Sequence, residues 1–172
     1  MKYDKLTTYA YTALTWAKRS TCIRKQVGAV IFDIDSDRLL AIGYNGTASG
    51  LVHCNELFNT DLTPKCSLLN YLKAVDTKNN IHHMFNIHHR FSEQYEVHAE
   101  QNALLNMIHT GTKKTSNMGI ICTLEPCLNC AKLIVGAGIK HVWYMEKYDG
   151  ATCDIKQYFK RAGVICEEFV WQ

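Results

Sequence analysis

Three side chains that lie far apart in this chain have to meet at one point. His98 stands in His98-Ala99-Glu100, and Cys127 and Cys130 stand in Pro126-Cys127-Leu128-Asn129-Cys130. One imidazole and two thiolates are three zinc-type ligands. They leave the fourth tetrahedral position to water, the arrangement of a catalytic rather than a closed structural ion. Glu100, two residues past the histidine, is placed to carry that water's proton. A Cys-x-x-Cys pair alone suits a structural zinc equally well, with Glu100 merely capping a helix. The histidine, the carboxylate and the cysteine pair taken together favour the catalytic reading.

Periodicity puts these groups at the starts of helices. Apolar side chains resume a helical spacing from residue 97 to 107, with Gly111 as a stop, and residues 127–136 form a second helix behind Pro126. His98 and Glu100 then lie near the start of one helix, and Cys127 and Cys130 in the first turn of the next. The positive ends of both favour thiolate and hydroxide over the neutral forms. Elsewhere, Leu6, Tyr9, Ala10, Ala13, Leu14 and Ala17 mark a helix over residues 5–19. Residues 27–32 and 39–44 read as a hairpin around a turn at 33–37, and Asn45-Gly46 and Gly50 mark a loop. Strands are expected at 118–123, 140–145 and 164–169, with a helix at 154–162 ending at Gly163. Strands alternating with helices imply helices on both faces of one sheet. Between residues 51 and 95 the pattern weakens, with some helix expected near 66–74 and little order around 77–80. A stretch this long is a functional insertion or partly disordered.

The chain of 172 residues is read as a single domain over 1–172, with that insertion inside it. Its 47% hydrophobic and 20% charged residues suit a soluble globular protein. A net charge of +3 is too small to argue for nucleic acid as a partner. The lack of any run of about 18 apolar residues argues against a membrane span. Eight cysteines without an apolar signal-peptide centre point to metal ligands and free thiols in a reducing cytoplasm (the host's, for a viral chain).

The H-x-E and P-C-x-x-C pieces resemble the zinc nucleobase deaminases. Longer pieces resemble one branch, the deoxycytidylate deaminases: Ser20-Thr21-Cys22-Ile23-Arg24-Lys25-Gln26-Val27-Gly28-Ala29-Val30, Gly43-Tyr44-Asn45-Gly46, His98-Ala99-Glu100-Gln101-Asn102-Ala103, and the residues from Ala131 to Lys140. The likeness covers most of the chain outside roughly 55–92. It implies an α/β fold of three layers, α/β/α and cytidine-deaminase-like, with a central five-stranded mixed sheet. It implies hydrolytic deamination of dCMP to dUMP with release of ammonia, by a homo-oligomer, commonly a hexamer, with dCTP and dTTP (with Mg2+) as allosteric effectors. Some viral relatives also take dCTP to dUTP.

Position by position, the likeness gives Arg24 the substrate phosphate, with Lys25 either assisting or facing solvent. Asn45 falls on a substrate-loop asparagine, against the alternative of a turn residue. The backbone at Ala99 falls at the base edge. Tyr148 falls on an aromatic near the base, or is a half-buried core tyrosine. Gly43, Tyr44 and Gly46 are candidates for an effector loop, since small residues permit close backbone approach.

Phage members of this family can carry a second, structural zinc, and Cys22, Cys54, His88 and Glu96 match that pattern, with His53, His82, His83 and His89 as competing ligands. Cys66, Cys122, Cys153 and Cys166 lack such a context, and Cys122 is expected in the core. One residue departs from the family pattern. Glu125, before Pro126, is more familiar in tRNA adenosine and riboflavin-pathway deaminases. Those enzymes, and a non-catalytic zinc-containing nucleotide-binding module, are the alternatives.

Overall fold

The apolar run that begins at Val27 becomes the middle of a sheet. In the computed structural model of the chain, which describes residues 4–58, 83–148 and 154–171 (the side chains of 83–86 excepted), contacts group into two compact units. The first comprises Met1–Ser20, Gln26–Asn45 and His98–Gln172, and the second Thr21–Lys25 and Gly46–Val97.

In the first unit, β1 (Gly28–Asp33) is buried at every position, and so are the first six residues of β5 (Met118–Leu124). Continuous apolar strands of this kind are covered on both faces. β1 pairs antiparallel with β2 (Arg38–Tyr44) on one side and with β5 on the other. β5, β6 (His141–Glu146) and β7 (Ile165–Glu168) then run parallel, giving the order β2-β1-β5-β6-β7. This is the expected five-stranded mixed sheet between helices.

Helix α1 (Lys5–Ala17) covers one face with Tyr9, Ala10 and Ala13, against Val30, Phe32 and Ile121. Its N-cap Asp4 accepts the Thr7 N–H and hydroxyl, both at 2.8 Å, satisfying one of the orphan donors of the first turn. Leu14, expected on the buried stripe, is 36% exposed. Tyr9 stacks on Phe32 with centroids 4.2 Å apart, a geometry worth about 0.5–1.5 kcal/mol beyond its area. The other face carries α4 (Ala99–His109), α5 (Leu128–Ala137) and α6 (Ile155–Arg161), packed on Ala29, Ile31, Ile120, Cys122 and Val142.

Helix α4 is seated on β2 by the lack of a side chain at Gly43 and by two of its own side chains. A Cβ on Gly43 would lie 2.2 Å from the Ala99 carbonyl oxygen and 2.3 Å from the Ala103 nitrogen. Gly43 is therefore a contact between strand and helix backbone. The Asn102 and Asn106 side-chain amides, one turn apart, donate to the Tyr44 and Ile42 carbonyls at 2.8 Å each. They occupy acceptors of the edge strand that would otherwise invite pairing.

In the second unit, β3 (Gly46–Thr47) pairs antiparallel with β4 (Glu96–Val97), and two helices accompany them, α2 (Cys54–Leu57) and α3 (His83–Tyr95). Their core is Cys22, Cys54, Leu57, Ile87 and Phe91, with Val52, Phe58 and Tyr95 against it. Helix α3 falls where the sequence pattern was weakest. Its described buried stripe is Ile87, His88 and Phe91, so one position of the expected apolar face is a histidine. The expected helix near 66–74 and the stretch at 77–80 lie outside the described residues, as do Cys66, His82 and Cys153. Among the described residues no helix is long and apolar enough to cross a membrane.

Two glycines should respond to alanine with opposite signs. Gly43→Ala forces the helix off the sheet and should destabilise by about 1–3 kcal/mol, the usual cost of overpacking. Gly136→Ala adds a methyl into open space on α5 and should stabilise by about 0.5–1 kcal/mol. Urea denaturation of both variants measures the difference.

Candidate functional site

The two helices that were expected to carry ligands start two residues and one residue later than the periodicity indicated, and this places ligands at their caps. His98 is the N-cap of α4 and Cys127 the N-cap of α5, each with extended backbone, and Cys130 lies in the first turn of α5. The Gln101 side chain accepts the His98 N–H at 2.9 Å and fixes the cap from behind. His98 Nδ1 lies 3.5 Å from Cys127 Sγ and 3.3 Å from Cys130 Sγ. A tetrahedral ion about 2.3 Å from sulfur and about 2.0 Å from nitrogen sets such separations near 3.5 Å, so the donor set fits zinc. Among the described residues three metal-ligating groups converge here and no fourth does.

The two thiols of the cluster are unequal. A hydrogen bond from Cys130 is the largest cause holding Cys127 down to about 4, while Cys130 itself is pushed up. Glu100, in the first turn of α4, is buried, and desolvation raises its carboxyl above the ordinary value. Its charge is felt by Cys130 and Cys122, so it borders the cluster without joining it. Cys122 is fully buried in β5, and burial pushes its thiol up, as expected of a core cysteine.

The second unit holds a second cluster. His88 Nε2 lies 3.6 Å from Cys22 Sγ and 3.2 Å from Cys54 Sγ, and all three residues are buried. Geometry decides among the described competing histidines. His89 is on the solvent side, paired with Glu93 at 3.4 Å, and His53 Nδ1 bonds the Thr47 hydroxyl at 2.9 Å. Glu96 is buried; its Oε2 accepts the Ser92 hydroxyl at 2.6 Å, while Oε1 has no hydrogen-bond partner. Burial raises the Glu96 carboxyl, and the nearby Cys22 adds to this. Among the described residues the converging groups of this cluster are Cys22, Cys54 and His88, and Glu96 borders them without joining them.

The remaining expected positions are placed as follows. Asn45 is buried, and its Oδ1 accepts the Val27 N–H at 2.8 Å, so its NH2 end is the donor for anything further. Arg24 and Lys25 are exposed on the 21–25 segment of the second unit. Ala99 is fully buried, and its carbonyl faces Gly43. The Tyr44 ring stacks with Trp16 at 6.1 Å, and the Arg19 guanidinium lies over both rings. Gly46 opens β3. Tyr148 is half-buried just past β6, its N–H held by Glu125. The roles of Gln101, Asn102 and Glu125 escaped the sequence reading. Glu125 had left a signal there as a departure from the family pattern, and Gln101 and Asn102 as part of the matching stretch from His98 to Ala103.

The model of the cytidine and deoxycytidylate deaminase zinc-binding region matches residues 3–146, and the chain belongs to this family. Within it, the chain is 33% identical to the deoxycytidylate deaminase of Schizosaccharomyces pombe over 90% of its own length and 40% of that protein's. It is 29% identical to the deoxycytidylate deaminase of Enterobacteria phage T2 over 93% of its own length and 89% of that protein's. Among solved structures it is similar to the dCMP deaminase of cyanophage S-TIM5 in complex with dCMP and dUMP. That match has a TM-score of 0.67 and 28% identity, and covers 98% of this chain and 99% of the other.

Zinc content tests both clusters. The purified protein should carry two zinc ions per chain. Cys130→Ser should lose one and Cys54→Ser the other, by atomic absorption. A zinc content that Cys54→Ser leaves unchanged would remove the second site.

Proposed function

We propose that the chain hydrolyses dCMP to dUMP and ammonia. The observation that carries this is the buried Glu100 carboxylate beside a three-ligand cluster on two helix caps. A binding-only zinc needs no proton carrier there. Zinc bound by His98, Cys127 and Cys130 supplies Lewis acidity that makes a water nucleophilic near neutral pH. Glu100 takes a proton from that water as oxygen attacks C4 of the base. It gives that proton to the ring nitrogen, then carries the remaining proton of the new C4 hydroxyl to the amino group, so that the C4–N bond breaks, C4=O forms and ammonia leaves. Burial keeps Glu100 from exchanging those protons with bulk solvent.

Arg24 offers the phosphate a planar guanidinium. The Asn45 NH2 end donates to a sugar hydroxyl, its other end fixed by Val27. The backbone at Ala99 and the Tyr148 ring receive the base. Cys22, Cys54, His88 and Glu96 hold a structural zinc. The likeness to deoxycytidylate deaminases of phages and eukaryotes supports this reading. We extend the proposal to a phage-type homohexamer in the cytoplasm, regulated by dCTP and dTTP with Mg2+. Of the three candidate effector positions Gly43 is taken up by packing, which leaves Tyr44 and Gly46.

Ammonia release from dCMP, dCTP, cytidine and adenosine, with and without dCTP and dTTP, tests the substrate and its phosphate count. Glu100→Ala should lower kcat by about 10²–10⁴-fold with zinc still bound. Full activity in that variant would overturn the mechanism.

A further inference from the structure

Glu125 lies in the loop between β5 and α5, two residues before Cys127. β5 and β6 are parallel, with Leu124 paired to Glu146, so the chain leaves both strands at the same sheet edge. In open α/β sheets the carboxyl ends of parallel strands are where ligands bind. Two hydrogen bonds join the exits there. The Glu125 N–H donates to the Glu146 carbonyl at 2.7 Å, extending the strand pairing by one step. The Tyr148 N–H donates to Glu125 Oε2 at 3.2 Å, past the end of β6.

The first bond is available to any residue except proline. The second requires a side chain with an acceptor at the reach of glutamate. At 3.2 Å this is a hydrogen bond of ordinary strength, set by the position of the acceptor. One residue thus grips the Tyr148 segment with both its main chain and its side chain, and it stands two positions from a zinc ligand.

We propose that Glu125 is a positioning residue for the nucleotide. By accepting the Tyr148 N–H it fixes the Tyr148 ring relative to the loop that carries Cys127. The proposal rests on the reading of Tyr148 as a base-contacting residue. It gives the unusual residue before Pro126 a task in ordering the site rather than in choosing the base.

Two readouts on the zinc-loaded protein test it. The first is amide hydrogen exchange at Tyr148, followed by NMR on tyrosine-labelled protein without substrate. Glu125→Ala should accelerate it by about tenfold or more, the equivalent of losing one hydrogen bond of ordinary strength. Glu125→Gln, which keeps an acceptor at the same reach, should restore slow exchange. Glu125→Asp, a milder change that keeps the charge and loses the reach, should follow alanine and serves if the alanine variant folds poorly.

The second readout is steady-state kinetics on dCMP. Glu125→Ala should raise KM several-fold, by more than it lowers kcat, and should add nothing in a Tyr148→Ala background, as expected of two residues acting as one unit. Unchanged Tyr148 exchange in the alanine and aspartate variants overturns the proposal. So do KM effects of the two residues that add in full, or a Tyr148→Ala variant with unaltered KM. The exchange experiment needs no substrate. A wild-type protein that failed to turn over dCMP would sink the functional reading, and the Glu125 clamp would stand or fall on exchange alone.

Discussion

The first unit is arranged so that two helix N-termini end at one point beside the same sheet. His98 caps α4 and Cys127 caps α5, and their ligand atoms stand 3.5 Å apart. Each N-terminus presents unsatisfied N–H groups and a partial positive charge worth about 0.3–1 kcal/mol to a nearby anion. Two such ends favour the ionised thiols a zinc ion needs. The cost is that α4 must lie very close to the sheet. Gly43 permits this by having no side chain, and the Asn102 and Asn106 amides hold the helix to the edge strand. The motif from His98 to Ala103 is therefore only partly about chemistry. His98 belongs to the ligand cluster and Glu100 borders it, while Gln101, Asn102 and Ala103 fix the helix that presents them.

The second unit solves a different problem. Its described apolar core is small, and Cys22 and Cys54 belong to it while also facing His88. Small units with little hydrocarbon to bury are commonly stabilised by a metal. Here the prospective ligands and the core are the same residues. Phe58 packs on both His88 and Phe91, so the imidazole is held by aromatic contacts as well as by the sulfurs. That also explains why α3 was hard to see from periodicity. A histidine at a buried position breaks the apolar stripe that a hydrophobic pattern registers.

The sequence on its own determined the groups that carry chemistry and most of the elements that bear them. His98, Glu100, Cys127 and Cys130 are legible because metal ligation and proton transfer restrict residue type and spacing. The helices and strands of the first unit are legible because their apolar runs are strong. Tertiary structure alone decided what faces what. It placed β5 between β1 and β6, and it chose His88 over His53 and His89, because ligation depends on distances that a linear pattern does not hold. It turned Gly43 from a loop glycine into a packing contact. It also gave Glu125 a partner, Tyr148, which is 23 residues away in the chain and adjacent only because two parallel strands end together.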